Sequence, residues 1–280
     1  MNHLKPLLAT YAYNITGSHE ASLDIVQDAF LKFLQVDSAN IINERAYLVR
    51  SVINLAINYK KQSQRLQNEY PGVWLPEPVD TQGADFTLNK KDILSYSLMV
   101  LLEKLNPRQR AVFILKEAFD YSHEEIAVVL ETTVSNSRQV LKRAKQSLKQ
   151  DGKVVKKDIE QELLLKYINV IKEGDVDRLE LMLKVDVSIV SDGGGKALAA
   201  LKPVLGRVNV IKFLRGLQTK FFSKRTFEYG GVNHQPAVFH YEEGVIVSCQ
   251  VFVFEHHKIS NIFFIRNPDK LSRFVYSDCL

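Results

Sequence analysis

The spacing of apolar residues changes once along this chain, and that change constrains the fold more than any other feature. Up to about residue 149, apolar residues recur every three to four positions, the period of a helix packed on one side. Beyond Asp151, segments rich in Val, Ile, Phe and Tyr and separated by turn residues predict antiparallel strands. We therefore expect an all-α part followed by a separate α+β domain. The first helices and strand of that domain are predicted at about 158–173, 176–183, 207–221 and, for the strand, 186–191.

Two amphipathic helices are predicted near the N-terminus. The first includes residues 23–34, and the second runs from about Glu44 to Gln64, where apolar residues again recur at helical spacing. The residues expected to face the core from the first helix are Leu23, Val26, Phe30, Phe33 and Leu34.

A linker is predicted between Leu66 and Asn89, where the helical pattern stops. Three prolines and four acidic residues occur there without a single Lys or Arg. The same stretch carries Trp74 within the sequence GVWLPEP. Because a freely solvated linker gains nothing from a large aromatic side chain, we expect this part of the linker to dock on a surface.

A helix-turn-helix is predicted for residues 121–148, YSHEEIAVVLETTVSNSRQVLKRAKQSL. Ser122 is placed to cap the first helix, and Glu125 completes a capping box. A short turn at residues 131–133 then leads into a second helix. The residues expected to point inward from that helix are Val134, Leu141, Ala144 and Leu148.

The second helix of this motif presents a basic stripe. Arg138, Lys142, Lys145 and Lys149 follow one another at helical steps, and no acidic residue occurs between Thr132 and Lys149. Such a stripe suits DNA phosphates. Ser135, Asn136 and Gln139 add donors and acceptors able to read base edges. Charge alone leaves a solvated helix face as the alternative, but the cap, turn and stripe together favour DNA.

A second basic segment without acids runs from Arg45 to Asn68. Residues that fall on one stripe of this predicted helix are Arg50, Asn54, Asn58, Lys61 and Arg65. Together with Tyr47 or Tyr59 they suit unpaired bases in single-stranded DNA. An ordinary exposed helix face explains the pattern equally well.

Composition sets broad limits. The chain has 37 Lys and Arg against 32 Asp and Glu, a net charge of +5, which is compatible with a nucleic-acid partner without requiring one. Its two cysteines, Cys249 and Cys279, argue against a disulfide scaffold and favour a cytoplasmic location. Residues 1–20 lack a signal-peptide pattern, and no apolar run approaches the ~20 residues that span a bilayer, so no membrane partner is expected.

Five blocks of sequence carry a family resemblance. The segments ITGSHEASLDIVQDAFLKFL and RAYLVRSVINLAINYKKQSQR, within residues 10–65, resemble region two of an extracytoplasmic-function (ECF) RNA polymerase sigma factor. LLEKLNPRQRAVFILKE with the helix-turn-helix resembles region four. WLPEP (74–78), DGGGK (192–196) and NPDKL (267–271) resemble signatures of the subgroup with a fused SnoaL-like domain. The resemblance covers nearly the whole chain.

The resemblance implies two partners, core RNA polymerase and promoter DNA. The outer side of the first long helix would bind the clamp helices of the largest polymerase subunit through Asp24, Gln27, Asp28 and Leu31. The loop Gln35–Asn43 and the helix Arg45–Arg65, with Asn54 at the family's usual Asn, would capture a flipped base and open the minus-ten element. The helix Val134–Lys149 would read the minus-thirty-five element. The residues expected to bind DNA are Arg50, Asn54, Asn58, Lys61, Arg65, Ser135, Asn136, Arg138, Gln139, Lys142 and Arg143.

This chain departs from the family pattern at two places in the helix-turn-helix. Glu131 occupies a position where many relatives have a turn glycine, and Val140 one where many have Arg. These departures leave the exact base contacts open.

For the C-terminal domain the resemblance implies a SnoaL-like cone, in which helices close a curved antiparallel sheet around a pocket. Some relatives isomerise or cyclise small molecules. The acid/base candidates here are Asp192, His234, His240, Glu242, His256 and His257. Strand alternation does not bring them together, and neither HExxH nor Cys/His ligand spacing occurs, so we predict no catalysis, metal or cofactor. The sequence leaves open whether a small molecule binds in the pocket.

The DGGGK segment lacks the spacing of a phosphate-binding loop, so its glycines are expected to serve a tight backbone path or close docking. Residues predicted at interdomain contacts are Trp74, Asp192, Gly193, Gly194 and Gly195.

The expected domains are residues 1–66 (region two), 67–91 (linker), 92–150 (region four), 158–266 (SnoaL-like regulatory domain) and 267–280 (tail). The function expected is that of a sigma factor modulated in cis by its last domain. The alternatives are a helix-turn-helix regulator with a ligand-sensing domain, or a SnoaL-like enzyme fused to a DNA-binding module.

Overall fold

A computed structural model of the protein describes residues 2–36, 41, 43–67, 69–82, 87–148, 161–221 and 226–274. The chain divides into two units. The first comprises Met1–Glu69 and Ala84–Val154, and the second comprises Tyr70–Gly83 and Val155–Leu280. The middle of the predicted linker is therefore part of the C-terminal unit. Within the described ranges, none of the helices has both the length and the apolar content needed to cross a membrane.

The first unit is all-α, as predicted. Its helices are α1 (Lys5–Thr16), α2 (His19–Gln35), α3 (Glu44–Gln67), α4 (Tyr96–Leu101), α5 (Pro107–Glu117), α6 (His123–Val129) and α7 (Val134–Leu148). Short 3-10 turns occur at Asn2–Leu4, Lys90–Asp92 and Leu102–Lys104.

Local sequence signals set several of these helix boundaries. Gly17, with φ 76°, ends α1 in the left-handed conformation that glycine tolerates best. The Ser18 hydroxyl then caps α2 by accepting the Ala21 N–H. At α5, Pro107 occupies the first turn and Asn106 forms a reciprocal capping box with Gln109.

The buried side of α2 differs from the predicted one at Leu34. Its buried residues are His19, Ala21, Ser22, Ile25, Val26, Ala29 and Phe33, whereas Leu34 is 73% exposed. Leu23 and Phe30 lie at the edge of the buried stripe and are half-buried. The prediction for Leu34 was wrong because α1 and α3 pack against the side of α2 that carries Ile25 and Ala29.

A buried ionic cluster lies inside the first unit. Lys60 on α3 and Arg110 on α5 are fully buried, and both contact the carboxylate of Glu103. The Lys60 ammonium lies 2.7 Å from Glu103 Oε2 and donates to the Thr16 carbonyl at 3.0 Å. Arg110 Nε donates to the Asn14 carbonyl at 3.0 Å. Because buried charges are tolerated only when paired and hydrogen-bonded, this cluster fixes how α1 and α3 meet residues 102–110.

The second unit is α+β. Its helices are α8 (Gln161–Glu173), α9 (Val176–Met182), α10 (Arg207–Phe221) and α11 (Pro268–Leu271). Its strands are β1 (Leu183–Asp192), β2 (Val204–Leu205), β3 (Thr226–Val232), β4 (Gln235–Glu242), β5 (Val245–Glu255) and β6 (Lys258–Ile265). They form one sheet in the order β2-β1-β6-β5-β4-β3.

The sheet is predominantly antiparallel, as predicted, but contains one parallel pair. Strands β3 to β6 form a meander joined by two-residue turns in which residues such as Asn233, His234 and Gly244 have positive φ, as type I′ hairpins require. β1 instead runs parallel to β6. A parallel neighbour needs a long connection, and here α10 and the meander supply it.

Helices α8 and α10 pack their apolar sides on the sheet. The buried cluster between them includes Leu164, Tyr167, Ile171, Val210, Leu214, Val238, Phe252 and Ile262. This is an ordinary hydrophobic core, and its burial accounts for the alternation and periodicity seen in the sequence.

Candidate nucleic-acid interface and linker site

The predicted basic stripe of α3 lies on the side of the helix away from its core. Its apolar side buries Leu48, Val49, Val52, Ile53 and Ala56. On the other side, Arg50, Asn58, Lys61 and Arg65 are exposed. Asn54 is half-buried, since its side-chain amide donates to the carbonyls of Arg50 at 3.0 Å and Val129 at 3.1 Å. The stripe thus carries cations and amides along one helix face.

Helix α6 begins with the predicted capping box. The Ser122 hydroxyl accepts the Glu125 N–H at 3.1 Å, and the Glu125 carboxylate accepts the Ser122 N–H at 2.7 Å. These bonds with the backbone and side chain of Ser122 lower the pKa of Glu125. The start of the helix-turn-helix is therefore determined locally.

The turn after α6 is a Schellman motif. The Thr132 N–H donates to the Ala127 carbonyl at 2.9 Å, and the Glu131 N–H to the Val128 carbonyl at 3.4 Å. Glu131 occupies the left-handed position of this motif with φ 48°. Glycine is preferred there, and an L-residue costs about 1–2 kcal/mol relative to its right-handed conformation.

Helix α7 places most of the predicted DNA-reading residues in solvent. Its buried residues are Ser137, Leu141, Ala144 and Leu148, and Val134, predicted to be buried, is half-buried. Ser135, Arg138, Gln139, Lys142 and Arg143 are exposed, and Asn136 is half-buried. The basic stripe therefore lies on the outer side of the helix, as its spacing predicted.

Some of these α7 side chains already have partners. Asn136 donates to the Thr132 hydroxyl at 2.7 Å. Arg138 lies 3.5 Å from Glu124, and Lys145 lies 2.7 Å from Glu117. These are exposed ion pairs, which contribute little and exchange readily with other anions. Lys149 of the predicted stripe lies outside the described residues.

The outer side of α2 carries Asp24, Gln27, Asp28 and Leu31, all exposed, with Leu31 52% accessible. An exposed leucine beside two acids is suited to a protein partner. Of the loop Gln35–Asn43, residues 37–40 and 42 lie outside the described residues.

A contact between α3 and the helix-turn-helix was not predicted. Arg50 forms an ion pair with Glu131, and Asn54 donates to the last carbonyl of α6, that of Val129. Two residues of the α3 stripe are therefore engaged by the turn between α6 and α7. Residues about eighty positions apart in sequence meet here, so no local pattern signals the contact.

In the second unit, Asp192 binds the linker. This side chain is fully buried at the end of β1. One carboxylate oxygen accepts the Leu75 N–H at 2.8 Å and the Lys270 ammonium at 2.6 Å. The other accepts the Tyr70 hydroxyl at 2.6 Å. We call Asp192, Lys270, Tyr70, Trp74 and Asn267 the linker clamp.

The two aromatic members of the linker clamp lie beside the Lys270 ammonium. This cation lies 4.1 Å from the ring centre of Trp74 and 5.4 Å from that of Tyr70, and it also donates to the Leu75 carbonyl. Asn267 donates to the Tyr70 hydroxyl at 3.0 Å. Burial and the hydrogen bond to Asp192 raise the pKa of Tyr70. The sequence motifs WLPEP, DGGGK and NPDKL thus meet at one point, although Lys270, Tyr70 and Asn267 were not singled out as site residues.

A second set of contacts holds the linker beyond the clamp. Val79 donates to the Asn233 side chain at 3.0 Å and accepts the Asn233 N–H at 2.9 Å. The Thr81 N–H donates to the Gly231 carbonyl at 3.1 Å. The linker segment is therefore attached to the sheet both at β1 and at β3.

The three glycines of DGGGK allow the close approach that their sequence predicted. A Cβ on Gly194 would lie 2.4 Å from the Asn267 side chain, and one on Gly195 would lie 2.7 Å from Pro71 of the linker. Both have positive φ. A Cβ on Gly193 would lie 2.1 Å from the Ala197 carbonyl oxygen. Larger residues would clash with the linker, with the Asn267 side chain or with the loop itself.

The predicted acid/base candidates are not brought together. His234, His256 and His257 are exposed in hairpin turns, His240 is buried in β4, and Glu242 ends that strand. Asp192 is occupied by the linker clamp. The cavity beside His240, lined also by Tyr167, Phe227, Val238 and Gln250, measures about 10 Å³, the room of about one water molecule.

Comparisons with known proteins identify the two helical parts. Residues 1–66 match the model of Sigma-70 region 2, and residues 95–148 match that of Sigma-70, region 4. These matches include α3 and the helix-turn-helix, respectively.

Curated relatives extend the match into the second unit. The chain is 31% identical over 226 residues to the ECF RNA polymerase sigma factor SigJ of Mycobacterium tuberculosis, covering 78% of this chain and 72% of that protein. It is 26% identical over 181 residues to the probable ECF RNA polymerase sigma factor SigI of the same species, covering 61% of each.

A solved structure agrees with the whole fold. The crystal structure of the Mycobacterium tuberculosis extracytoplasmic function sigma factor SigJ matches with a TM-score of 0.78 at 26% identity, covering 96% of each chain. Both helical parts and the α+β domain lie within that coverage. The chain therefore belongs to the ECF RNA polymerase sigma factors, with a C-terminal α+β domain of the SnoaL-like kind following region 4.

Proposed function

We propose that this ECF sigma factor opens the minus-ten element with α3, reads the minus-thirty-five element with α7, and is controlled by its C-terminal unit through the linker clamp. Binding of core RNA polymerase and promoter DNA follows from the sigma regions. What we propose in addition is which residues make these contacts and how the C-terminal unit controls transcription initiation. The observation that carries the control is the buried Asp192, whose carboxylate holds the chain segment that joins region 2 to region 4.

The two DNA contacts are supported by exposed side chains of suited chemistry. On α3, Arg50, Asn58, Lys61 and Arg65 form an outward stripe that suits a DNA backbone and unpaired bases. On α7, Ser135, Asn136 and Gln139 lie in the first turns, where a recognition helix meets base edges. Arg138, Lys142 and Arg143 follow on its exposed side and suit phosphates.

The polymerase contact is proposed for the outer side of α2. Asp24, Gln27, Asp28 and Leu31 form an exposed strip on a helix whose opposite side is buried against α1 and α3. The strip combines negative charge with one apolar side chain, which suits a protein partner surface, and we assign it to the clamp helices of the largest polymerase subunit.

Control by the C-terminal unit rests on the reach of the linker. Residues 70–82 are held at Asp192 and again at Asn233, so their two ends are fixed on the sheet. Released, thirteen residues span up to about 45 Å. Regions 2 and 4 contact separate promoter elements, so docking or release of the linker changes which arrangements of the two regions are available. A covalently attached domain acts at about millimolar effective concentration, which makes such control effective even with modest contacts.

Transcription in vitro tests the function. Core polymerase plus the chain should initiate from a promoter selected from random DNA, and core alone should not. The linker control is tested with Gly195→Ala, whose Cβ would lie 2.7 Å from Pro71, against Gly206→Ala, where φ is also positive but a Cβ would meet nothing within 4 Å. Transcript yield with Gly195→Ala should differ at least about twofold from that with Gly206→Ala. Equal yields from the two variants would rule out control through the linker.

We further propose that the C-terminal unit is not an enzyme. Its acid/base candidates lie apart, its buried carboxylate Asp192 is engaged by the linker clamp, and the cavity beside His240 has the size of a water molecule. Polar atoms of Tyr167 and Gln250 line the same cavity, whose size suits a water molecule and not a larger ligand. Neither atom has a hydrogen-bond partner in the described part of the chain.

A further inference from the structure

Two buried polar side chains of the C-terminal unit line one small cavity. Tyr167 on α8 and Gln250 on β5 are each 2% exposed, and both border the cavity. Within the described part of the chain, neither the Tyr167 hydroxyl nor the Gln250 oxygen Oε1 has a hydrogen-bond partner. Folded proteins almost always supply a partner to a buried polar atom, because burial removes the water that the atom would otherwise bind. A partner shared through the cavity would meet this requirement for both atoms.

The fold fixes the positions of both side chains. Gln250 lies in register with Val238 of β4 and Phe264 of β6, and these two neighbours belong to the core between the sheet and its helices. Since directly paired residues of antiparallel strands point to the same side of a sheet, the Gln250 side chain also points towards the helices. Tyr167 packs edge-on against Phe252, with ring centres 4.8 Å apart. Both polar groups therefore lie at one place between α8 and the sheet.

The cavity has room for one water molecule. It measures about 10 Å³, and a site needs about 10–15 Å³ to hold a water. Its other lining residues are Ile168, Ile171, Phe227, Val238 and His240. Four of these side chains are apolar, and the imidazole of His240 adds a third polar group to the lining.

The hydrogen-bonding capacities of the two side chains fit a water molecule between them. Burial raises the pKa of Tyr167, so its hydroxyl stays protonated and acts as a donor. The Gln250 oxygen only accepts hydrogen bonds. A water accepts from the hydroxyl through a lone pair and donates one of its hydrogens to the amide oxygen. Buried waters typically make about three hydrogen bonds, so a site with three polar side chains is of the usual kind.

We propose that the C-terminal unit binds one internal water molecule, which accepts a hydrogen bond from Tyr167 and donates one to Gln250. The water attaches α8 to the central strand β5 and completes the core at the place where the cavity lies. A small molecule larger than water has no room beside it. The inference rests on the core of this unit and is independent of the function proposed for the sigma regions.

The stabilities of matched variants of the full chain test the site. Tyr167→Phe removes the hydroxyl and keeps the ring. Ser191→Ala is the control, because the buried Ser191 hydroxyl on β1 also has no hydrogen-bond partner among the described residues but does not line the cavity. Thermal unfolding is followed by the infrared amide band of β-sheet, which in the described ranges occurs only in the C-terminal unit.

The two substitutions should have different effects on the melting temperature. With a bound water, Tyr167→Phe should lower the melting temperature of this unit by about 2–4 °C, the loss expected for one hydrogen bond. Ser191→Ala should leave it unchanged or raise it, since removal of a buried hydroxyl without a partner relieves the cost of its desolvation. If Tyr167→Phe behaves like Ser191→Ala, the Tyr167 hydroxyl binds nothing and the proposal fails.

A double variant tests whether one partner serves both residues. Gln250→Met removes the amide and nearly preserves the side-chain volume. The combination of Tyr167→Phe with Gln250→Met should lower the melting temperature by less than the sum of the two single effects, because either change alone already weakens the water site. Additive losses would show that the two side chains do not share a partner.

A high-resolution crystal structure of the full chain identifies the shared partner. The expected result is a density peak about 2.5–3.2 Å from both the Tyr167 hydroxyl and the Gln250 amide oxygen, which is lost in the double variant. A direct hydrogen bond between the two side chains, or no peak between them in the parent chain, would overturn the proposal.

Discussion

The carboxylate of Asp192 lies 2.6 Å from the ammonium of Lys270, and this ion pair is buried beneath the linker that joins regions 2 and 4. Lys270 is 8% exposed and Asp192 not at all. Such a buried pair adds little to the free energy of folding. Removal of either partner is nevertheless strongly destabilising, because it leaves the other charge buried and unpaired. The linker supplies the Leu75 carbonyl and the faces of Tyr70 and Trp74 to the same cation. Docking of the linker and burial of the pair are therefore coupled.

Asp192→Asn should release the linker. The change leaves the Lys270 ammonium buried without a counter-charge, a loss of about 3–5 kcal/mol that undocking relieves by hydrating the cation. Trp74 is the only tryptophan, so its fluorescence reports docking directly and should shift to longer wavelength. Asp192→Asn combined with Lys270→Met should recover much of the original emission. A spectrum unchanged in the single variant would contradict the coupling.

Arg138→Ala and Lys142→Ala should weaken promoter binding and reduce its salt dependence. Each removes about one phosphate or base contact, so the slope of log affinity against log salt should fall by about one. Lys212→Ala, an exposed change of the same kind on α10 of the other unit, is the control. A slope equal to that of the parent chain in both α7 variants would exclude the proposed docking of α7.

Asp28→Lys should weaken binding to core polymerase, because it reverses a charge in the exposed strip of α2. Folding should be retained, since surface changes usually alter stability by less than ~0.5 kcal/mol. Asp177→Lys on α9 is the matched reversal away from the strip. Affinity measured in a pull-down with core should fall only for Asp28→Lys. The same affinity for both variants would remove α2 from the polymerase interface.

The helix-turn-helix should lose stability in mild acid through His123. Burial, followed by the nearby charges of Arg138 and Lys116, lowers the pKa of this imidazole from 6.5. The unfolded chain therefore takes up the proton at higher pH than the folded one. The stabilising contribution of neutral His123 is therefore complete above about pH 6.5, and it is lost as the pH falls through the lowered pKa of the folded chain.

Melting temperatures between pH 7.5 and pH 5 check this for the parent chain and His123→Gln. The parent should lose more stability over that range than the variant, which cannot be protonated at this position. The bond between His123 Nδ1 and the Ser137 hydroxyl, 2.9 Å long, joins the two helices of the motif. Parallel profiles for the two chains would show that His123 does not contribute.

Features encoded by neighbouring residues could be predicted from the sequence. The capping box of Ser122 and Glu125, the start of α5 at Pro107 and the outward basic side of α7 depend on residues within one or two helical turns. The division into an all-α and an α+β part followed from the change in apolar spacing. The resemblance to ECF sigma factors rested on motif order and was confirmed by the matches to regions 2 and 4 and to SigJ.

Features that join distant residues required the tertiary structure. Leu34 was predicted to be buried, yet it is exposed because the position of α1 and α3, and not helical period alone, selects the buried side of α2. The parallel pairing of β1 with β6 depends on where a long connection returns. The motifs WLPEP, DGGGK and NPDKL could be recognised one by one, but only the folded chain brings Trp74, Asp192 and Lys270 together. Likewise, the sequence shows that Glu131 departs from the family's glycine, but only the tertiary structure shows that Arg50 is its partner. Ion pairing depends on the distance between two charges, and no repeating sequence pattern reveals that distance.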